Sequence, residues 1–144
     1  MMTAGRRRVS AYALIRAQGQ VLLSLVNRHP FKGLWSLPGG GAEFGEMPLQ
    51  TLARELMEEA ALALDREPEL IAVFSDTYSL PRSDGVEEPV QAYRIVYRAD
   101  LPGVVPCKTD GDGDSSDGCC WFPLDALPHN LSYIVSSALA RVSG

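Results

Sequence analysis

The residues that could do chemistry are concentrated in segment 37–62, where three glutamates share one helical face. Glu55, Glu58 and Glu59 are spaced i, i+3 and i+4, which brings their carboxylates together on a helix. Such a cluster is either a solvated acidic face or a set of hard oxygen ligands. Carboxylates suit Mg²⁺ or Mn²⁺, and substrate phosphates can fill the remaining coordination positions of such an ion. The cluster therefore predicts a divalent-metal site for a phosphorylated substrate.

The residues before the acidic cluster strengthen this prediction. Three glycines follow Pro38, at positions 39–41. They can simply form a turn, or they can let the backbone approach a ligand or metal closely. Leu52 and Leu56 give the following helix an apolar side. The glycine turn comes shortly before this helix, which favours the metal-site interpretation over a solvated acidic face.

The spacing of the whole segment matches a known motif. After Gly40, five residues precede Glu46, and seven more precede Arg54 and Glu55. The pattern resembles the signature box of the Nudix hydrolases, G-x5-E-x7-R-E-U-x-E-E-x-G-U, in which U is aliphatic. The one departure is Ala61, which stands where the box has its second glycine. Because MEEAALAL favours a helix, we expect the helix to run about one turn further, to residue 64.

The resemblance implies a role for each matching residue. The implied metal ligands are the carbonyl of Gly39 and the carboxylates of Glu55, Glu58 and Glu59. Arg54 would orient a catalytic glutamate and offset the negative charge, while Gly40 and Glu46 would support the loop and helix. Glu58 and Glu59 are the candidates for combined ligand and base. Which of the two takes the proton is left open.

The rest of the chain predicts a single α/β domain spanning residues 1–144. The strands are predicted at 9–16, 20–26, 35–37, 70–80, 90–99 and 119–123, and the helices at 47–64 and 131–142. Polar loops are predicted at 81–89 and 108–118. Interleaved strands and helices favour a mixed sheet with helices on both faces. The resemblance implies the same architecture, the Nudix α/β/α sandwich.

The composition limits the kinds of molecule that the protein is expected to bind. The net charge of −5 argues against binding a nucleic-acid polymer, which needs a basic surface. No apolar run approaches the roughly 18 residues of a membrane span, and the start lacks a secretory pattern, so we expect a cytoplasmic protein. The arginines at 6–8 could contact phosphates, but a solvated leading edge is the preferred interpretation. A homodimer is possible, although no sequence feature establishes one.

The cysteines and histidines form no zinc or disulfide pattern. Cys119 and Cys120 are adjacent in a predicted strand, so one should face the core and the other the surface. His29 and His129 are isolated and are expected in loops or at the surface.

The acidic loop at 108–118 offers one further candidate. It is not an EF-hand, because no glycine follows Asp114 and the closing position is Trp121. A mobile acidic loop is one interpretation. The other, drawn from the resemblance, is that Asp114 or Asp117 supplies an additional ligand or base.

Substrate choice is left open between several nucleotide classes. Phe31, Trp35 and Tyr78 are candidates to stack on a base, and each is also plausible as a core or turn residue. The resemblance implies hydrolysis of a pyrophosphate bond in a nucleoside diphosphate linked to another moiety. Nucleoside triphosphates, dinucleoside polyphosphates, ADP-ribose and nucleotide sugars all fit this description. Family rules place a proline about fifteen residues past the box in ADP-ribose enzymes, and none stands there. A tyrosine near the position of Tyr78 is linked to dinucleoside polyphosphate members. The alternative function is a non-catalytic, nucleotide-binding regulatory module on the same fold.

Overall fold

The computed structural model describes residues 5–143, which form one mixed β-sheet and two α-helices. The strands are β1 (Arg6–Ala17), β2 (Gln20–Val26), β3 (Trp35–Ser36), β4 (Gly39–Gly41), β5 (Glu69–Pro81), β6 (Glu87–Asp100) and β7 (Ser116–Pro123). The helices are α1 (Pro48–Ala60) and α2 (Tyr133–Val142). None of the described helices is long and apolar enough to cross a membrane.

The sheet is built around β1, which pairs on both sides. The path of strands runs β3-β2-β1-β6-β5, with β4 also paired to β1 and β7 paired to β2. Only the β1–β6 ladder is parallel; the other described pairs are antiparallel. The hairpin between β1 and β2 turns at Gln18 and Gly19, both of which have positive φ. The pairing of β4 with β1 brings the glycine run beside the centre of the sheet.

Side chains of β1 alternate between two cores, one on each face of the sheet. Ala11, Ala13 and Ile15 pack with Leu52 and Leu56 of α1. Tyr12 and Leu14 pack in a second cluster with residues of α2, including Ile134 and Val135. The two helices therefore cover opposite faces. The predicted α/β sandwich with a mixed sheet is confirmed.

The predicted extension of α1 to residue 64 is wrong. The helix ends at Ala60, because Ala61 takes the left-handed conformation with φ 53° and ψ 41°. Its N–H donates to the carbonyl of Met57, and the N–H of Leu62 donates to that of Leu56. Leu62 and Leu64 then pack against the core beneath α1. A left-handed alanine costs about 1–2 kcal/mol, and the partial burial of Leu62 and Leu64 offsets that cost, so the early turn is favoured.

We expect Ala61→Gly to raise the free energy of unfolding by about 1 kcal/mol, because glycine adopts positive φ without the steric cost of a Cβ. Chemical denaturation of the two proteins measures the difference. Ala60→Gly, one residue earlier and inside the helix, is the matched control and should destabilise instead. Equal destabilisation by both changes would contradict the proposed cost at Ala61.

Several other predicted bounds differ in extent. β1 begins at Arg6 instead of residue 9, so the three arginines belong to this strand, in which Arg6 and Arg7 are exposed. The predicted loop at 81–89 shortens to a turn, because β5 and β6 remain paired as far as Pro81 and Glu87. β7 begins at Ser116, and α2 begins at Tyr133. Cys119 is buried and Cys120 is exposed, as the alternation predicted.

Candidate active site

A cleft of about 930 Å³ lies between the glycine run, α1 and the loops before β3 and β7. Glu55, Glu58 and Glu59 line it together with Gly39 and Gly40. The structure therefore places the acidic cluster and the glycine run around the same space. The two groups are neighbours because α1, which carries the glutamates, packs against β4 and β1.

Arg54 is the central hydrogen-bond donor of this cluster. Its Nε and Nη2 donate to the two carboxylate oxygens of Glu46, at 2.7 and 3.0 Å. Nη2 also donates to the carbonyl of Gly41 at 2.9 Å, and Nη1 donates to Glu55 at 2.9 Å and to Glu58 at 3.4 Å. All five guanidinium N–H groups thus have acceptors. The hydrogen bond to Glu46, together with that to Glu55, raises the pKa of Arg54, so it stays charged.

Glu46 links the loop to the start of α1. Besides Arg54, it accepts hydrogen bonds from the Glu43 N–H at 2.8 Å and the Thr51 hydroxyl at 3.0 Å. The hydrogen bond from Arg54, followed by that from Glu43, lowers the pKa of Glu46 to about 2. Glu46 therefore remains a carboxylate that holds Arg54 in place.

Two carboxylates are buried beneath this network. Glu55 is 7% exposed and Glu59 is 3% exposed. The Ser24 hydroxyl donates to Glu59 at 2.9 Å and lies 2.7 Å from the Ser116 hydroxyl. Burial, followed by hydrogen bonding and repulsion from Glu55, raises the pKa of Glu59 to about 9. Glu58, by contrast, is half exposed on the cleft side.

The glycines are required by close approaches. A Cβ at Gly40 would lie 2.7 Å from the carboxylate of Glu55. At Gly39, where φ is 146°, a Cβ would lie 2.1 Å from the carbonyl oxygen of Ala11. Side chains at either position would displace the backbone from the buried carboxylates or from β1.

The donor set fits a divalent cation in its chemistry. Hard oxygens from Glu55, Glu58, Glu59 and the backbone of Gly39 line one cleft, and two of these glutamates are buried. Within residues 5–143, however, no three acidic, histidine or cysteine side chains converge closely enough to hold an ion. Arg54 bonds both Glu55 and Glu58, while Glu59 turns to Ser24. Coordination would therefore require these side chains to reorient.

The raised pKa of Glu59 has a consequence for stability in chelator. A carboxyl whose pKa is about 9 when folded and 4.5 when unfolded stabilises the fold fully below pH 4.5. This contribution is lost as the pH rises towards 9. We expect the thermal midpoint of the metal-free protein to fall between pH 5 and pH 9, and Glu59→Gln to flatten this part of the profile. Parallel profiles for both proteins would contradict the assignment.

Of the three aromatic residues predicted to stack on a base, two lie in the cleft. Phe31 and Tyr78 both line it, with ring centroids 5.2 Å apart and nearly perpendicular. Trp35 is not among the lining residues and packs on Phe122, with centroids 4.8 Å apart. The prediction that Trp35 contacts substrate is therefore not supported by its position. Trp35 lies against the core that α2 covers.

In the acidic loop, the aspartate nearest the buried glutamates is neither of the two predicted candidates, Asp114 and Asp117. Asp114 lines the cleft but pairs with Arg28 at 2.6 Å, and Asp117 is exposed outside the lining. Asp112 also lines the cleft, and its charge acts on Glu59. Its carboxylate accepts three backbone N–H bonds, from residues 114–116. Burial alone would raise the pKa of Asp112, but these hydrogen bonds outweigh it and the pKa is lowered. The spacing of the loop residues does not distinguish Asp112, because its role depends on how the loop folds.

Cationic side chains also line the cleft, including the arginines of β1. Arg8 lies so close to Gly41 that a Cβ there would be 2.9 Å from its Nε. Arg6 pairs with Glu88 at 3.5 Å. Lys108, in the loop before β7, also lines the cleft. Arg8 is half-buried beside Gly41, whereas Arg6 and Arg7 are exposed. Arg6, Arg7 and Arg8 therefore line the same cleft as the acidic cluster.

Comparison with known proteins identifies the family to which this chain belongs. The NUDIX domain model matches residues 5–141. The chain is 34% identical over 123 residues to an ADP-ribose pyrophosphatase from Methanocaldococcus jannaschii, covering 83% of this chain and 64% of that protein. It is 30% identical over 128 residues to the human 8-oxo-dGDP phosphatase NUDT18, covering 84% of this chain and 35% of that protein. The chain thus spans less than two thirds of the length of either relative.

A solved structure gives the same result over nearly the full length of both chains. The crystal structure of a MutT NUDIX hydrolase from Burkholderia pseudomallei matches with a TM-score of 0.71 and 29% identity. The match covers 96% of this chain and 99% of that one. The family predicted from the glutamate spacing is confirmed, and the chain belongs to the NUDIX family.

Proposed function

We propose that this protein hydrolyses a pyrophosphate bond in a nucleoside diphosphate linked to another moiety, with Mg²⁺ or Mn²⁺ as cofactor. The observation that carries the proposal is the buried pair Glu55 and Glu59, placed beside the glycine run and bordered by Arg54. Ionising two buried carboxyl groups side by side is costly, and a divalent cation would offset that cost. Kinship with a MutT NUDIX hydrolase and with an ADP-ribose pyrophosphatase supports a hydrolase.

The residues that would hold the ion are Glu55, Glu58, Glu59 and the carbonyl of Gly39. When bound, the ion would polarise phosphoryl oxygens and lower the pKa of the attacking water. Arg54 and Glu46 would fix the loop against α1, so that the carboxylates keep their positions as substrate binds. This support has a geometric basis in the two-point contact between the guanidinium and Glu46.

The proton of the attacking water must pass to a group that can reach the cleft. Glu58 is half exposed there, whereas Glu59 is nearly inaccessible to solvent and is held by Ser24. We assign proton transfer to Glu58 or Glu59 and ligand duty to Glu55. Arg8 and Lys108, which line the same cleft, would offset the charge of the substrate phosphates.

The substrate belongs to the small nucleotides. The relatives act, by their names, on ADP-ribose and on 8-oxo-dGDP, which differ in their base. A cleft of about 930 Å³ is within the range of sites that enclose such molecules. ADP-ribose, nucleotide sugars, nucleoside triphosphates and diadenosine polyphosphates therefore form the test panel.

Release of phosphate and nucleotide from this panel, measured with Mg²⁺, with Mn²⁺ and with chelator, tests the proposal. Metal-dependent turnover of one class is the expected result. Saturable nucleotide binding without turnover of any compound would contradict it and favour the non-catalytic binding module.

A further inference from the structure

A buried arginine on β6 lies in the cleft among aromatic rings, and the reaction described above does not use it. Arg94 is 7% exposed and lines the cleft together with Tyr12, Phe31 and Tyr78. Its guanidinium carbon lies 5.9, 5.3 and 6.0 Å from the centroids of these three rings, respectively. An arginine this deeply buried needs a structural partner or a ligand.

The hydrogen bonds of Arg94 leave part of its donor capacity unused. Nε and Nη2 donate to the two oxygens of Asp76, at 2.7 and 3.2 Å, and Nη1 donates to the Tyr12 hydroxyl at 2.9 Å. An arginine has five N–H groups, so one on each terminal nitrogen has no acceptor among residues 5–143. Tyr12 accepts the bond from Arg94, and its own hydroxyl proton likewise has no acceptor in that range. Three polar hydrogens are thus available at one place in the cleft.

The charge of this group is already balanced. Asp76 forms an ion pair with Arg94 and also accepts a hydrogen bond from Tyr133. A phosphate placed here would meet directional donors but little net positive charge, whereas Arg8 and Lys108 offer charge elsewhere in the cleft. A neutral ligand with several acceptor atoms therefore fits this position better than an anion does.

The neighbouring aromatic rings indicate that this ligand is flat and aromatic. Phe31 and Tyr78 meet edge to face, with centroids 5.2 Å apart, and both line the cleft beside Arg94. Aromatic faces stack on nucleobases, and this contact tolerates any base. A nucleobase has flat faces that stack on aromatic rings and neutral acceptor atoms that suit donors whose charge is already balanced. The hydrogen-bond donors then determine which base is preferred.

We propose that Arg94, Tyr12, Phe31 and Tyr78 bind the base of the substrate, and that Arg94 selects a 6-oxopurine, the guanine type, over adenine. This inference rests on the proposed function and names the base of its substrate. A 6-oxopurine presents two neighbouring acceptors, O6 and N7, which arginine recognises with paired N–H groups. Adenine presents an amino donor in place of O6. The nearby carboxylate, Asp76, is already bonded through both oxygens and does not line the cleft.

Binding of free nucleoside diphosphates to the wild-type protein tests the base preference without turnover. Calorimetry should show GDP binding about tenfold to a hundredfold more tightly than ADP. Inosine diphosphate, which keeps O6 and N7, should bind like GDP. 7-Deazaguanosine diphosphate, which lacks the N7 acceptor, should bind less tightly. Equal affinities for all four compounds would overturn the inference.

Two variants and a matched control assign the preference to its residue. Arg94→Gln should bring the affinities for GDP and ADP to within about threefold of each other, mainly by weakening GDP binding. Arg98→Gln makes the same substitution on the same strand, where the arginine pairs with Glu69 and Asp100, and should keep the full preference. Tyr12→Phe removes a single hydroxyl without unpairing Arg94 from Asp76, and should reduce the preference even if Arg94→Gln does not fold. A preference unchanged in Tyr12→Phe and in a folded Arg94→Gln would overturn the assignment.

Turnover of matched sugar derivatives separates this inference from the proposed function. We expect kcat/KM to be higher for a GDP-sugar than for the ADP-sugar with the same sugar, by a ratio that Arg94→Gln reduces. Hydrolysis of both at equal rates would overturn the base assignment while the proposed function stands. GDP preference in binding with no hydrolysis of any substrate would support the base site and contradict the proposed function.

Discussion

Glu59→Gln is expected to reduce metal-dependent turnover by roughly 10²–10⁴-fold. Glutamine preserves the size of the side chain and can still accept the hydrogen bond from Ser24 at the buried position. It removes the negative charge that a divalent ion would bind and the site that could take a proton. The buried surroundings that raise the pKa of Glu59 favour a neutral side chain, so the variant should fold at least as stably as the parent in chelator. Activity and stability should therefore move in opposite directions.

The measurement is turnover of the best substrate against Mg²⁺ concentration, together with thermal unfolding in chelator. Glu87→Gln is the matched control, because Glu87 is exposed at the start of β6 and does not line the cleft. The control should leave both quantities unchanged. Wild-type turnover in a folded Glu59→Gln protein would contradict the assigned site.

The acidic cluster could be predicted from sequence because its geometry is local. Residues at i, i+3 and i+4 share a helical face whatever the rest of the chain does, so Glu55, Glu58 and Glu59 require only that α1 forms. The glycine run was also predictable, since few other residues tolerate such close approach at Gly39 and Gly40. Both features depend on short-range constraints.

Features that depend on the tertiary fold were not predictable in the same way. Arg94 and Tyr12 lie on different strands, 82 positions apart, and meet because β1 and β6 pair in parallel. Nothing in the spacing of their neighbours marks either residue. Ala61 shows the opposite problem, because its propensity favours a helix while burial of Leu62 and Leu64 favours the turn that the structure contains.

The acidic loop illustrates a third limit. Its aspartates look equivalent in sequence, yet they are distinguished by backbone conformation. Asp112 accepts the N–H groups of residues 114–116 and lies near Glu59, whereas Asp114 pairs with Arg28. Asp117 is exposed. The sequence therefore identified the loop as a candidate, but only the backbone conformation of the loop shows which aspartate lies near Glu59.

Arg54→Lys is expected to lower turnover by about tenfold to a hundredfold and the free energy of unfolding by about 1–3 kcal/mol. Lysine keeps the positive charge but offers three donors on one atom, where arginine offers five in a planar fork. It cannot maintain the two-point contact with Glu46 together with the bonds to Gly41 and Glu55. The loop and α1 would then lose their shared anchor, and the carboxylates would lose their fixed positions.

Steady-state kinetics and chemical denaturation of Arg54→Lys measure the two effects, with Arg98→Lys as the control for the same exchange outside the cleft. Arg98 is partly exposed and pairs with Glu69 and Asp100, so the control should change either quantity little. A fall in turnover larger than the fraction of unfolded protein would separate positioning from stability. Unchanged turnover and stability in Arg54→Lys would mean that charge alone suffices at this position, and that the hydrogen-bonded fork has no part in organising the site.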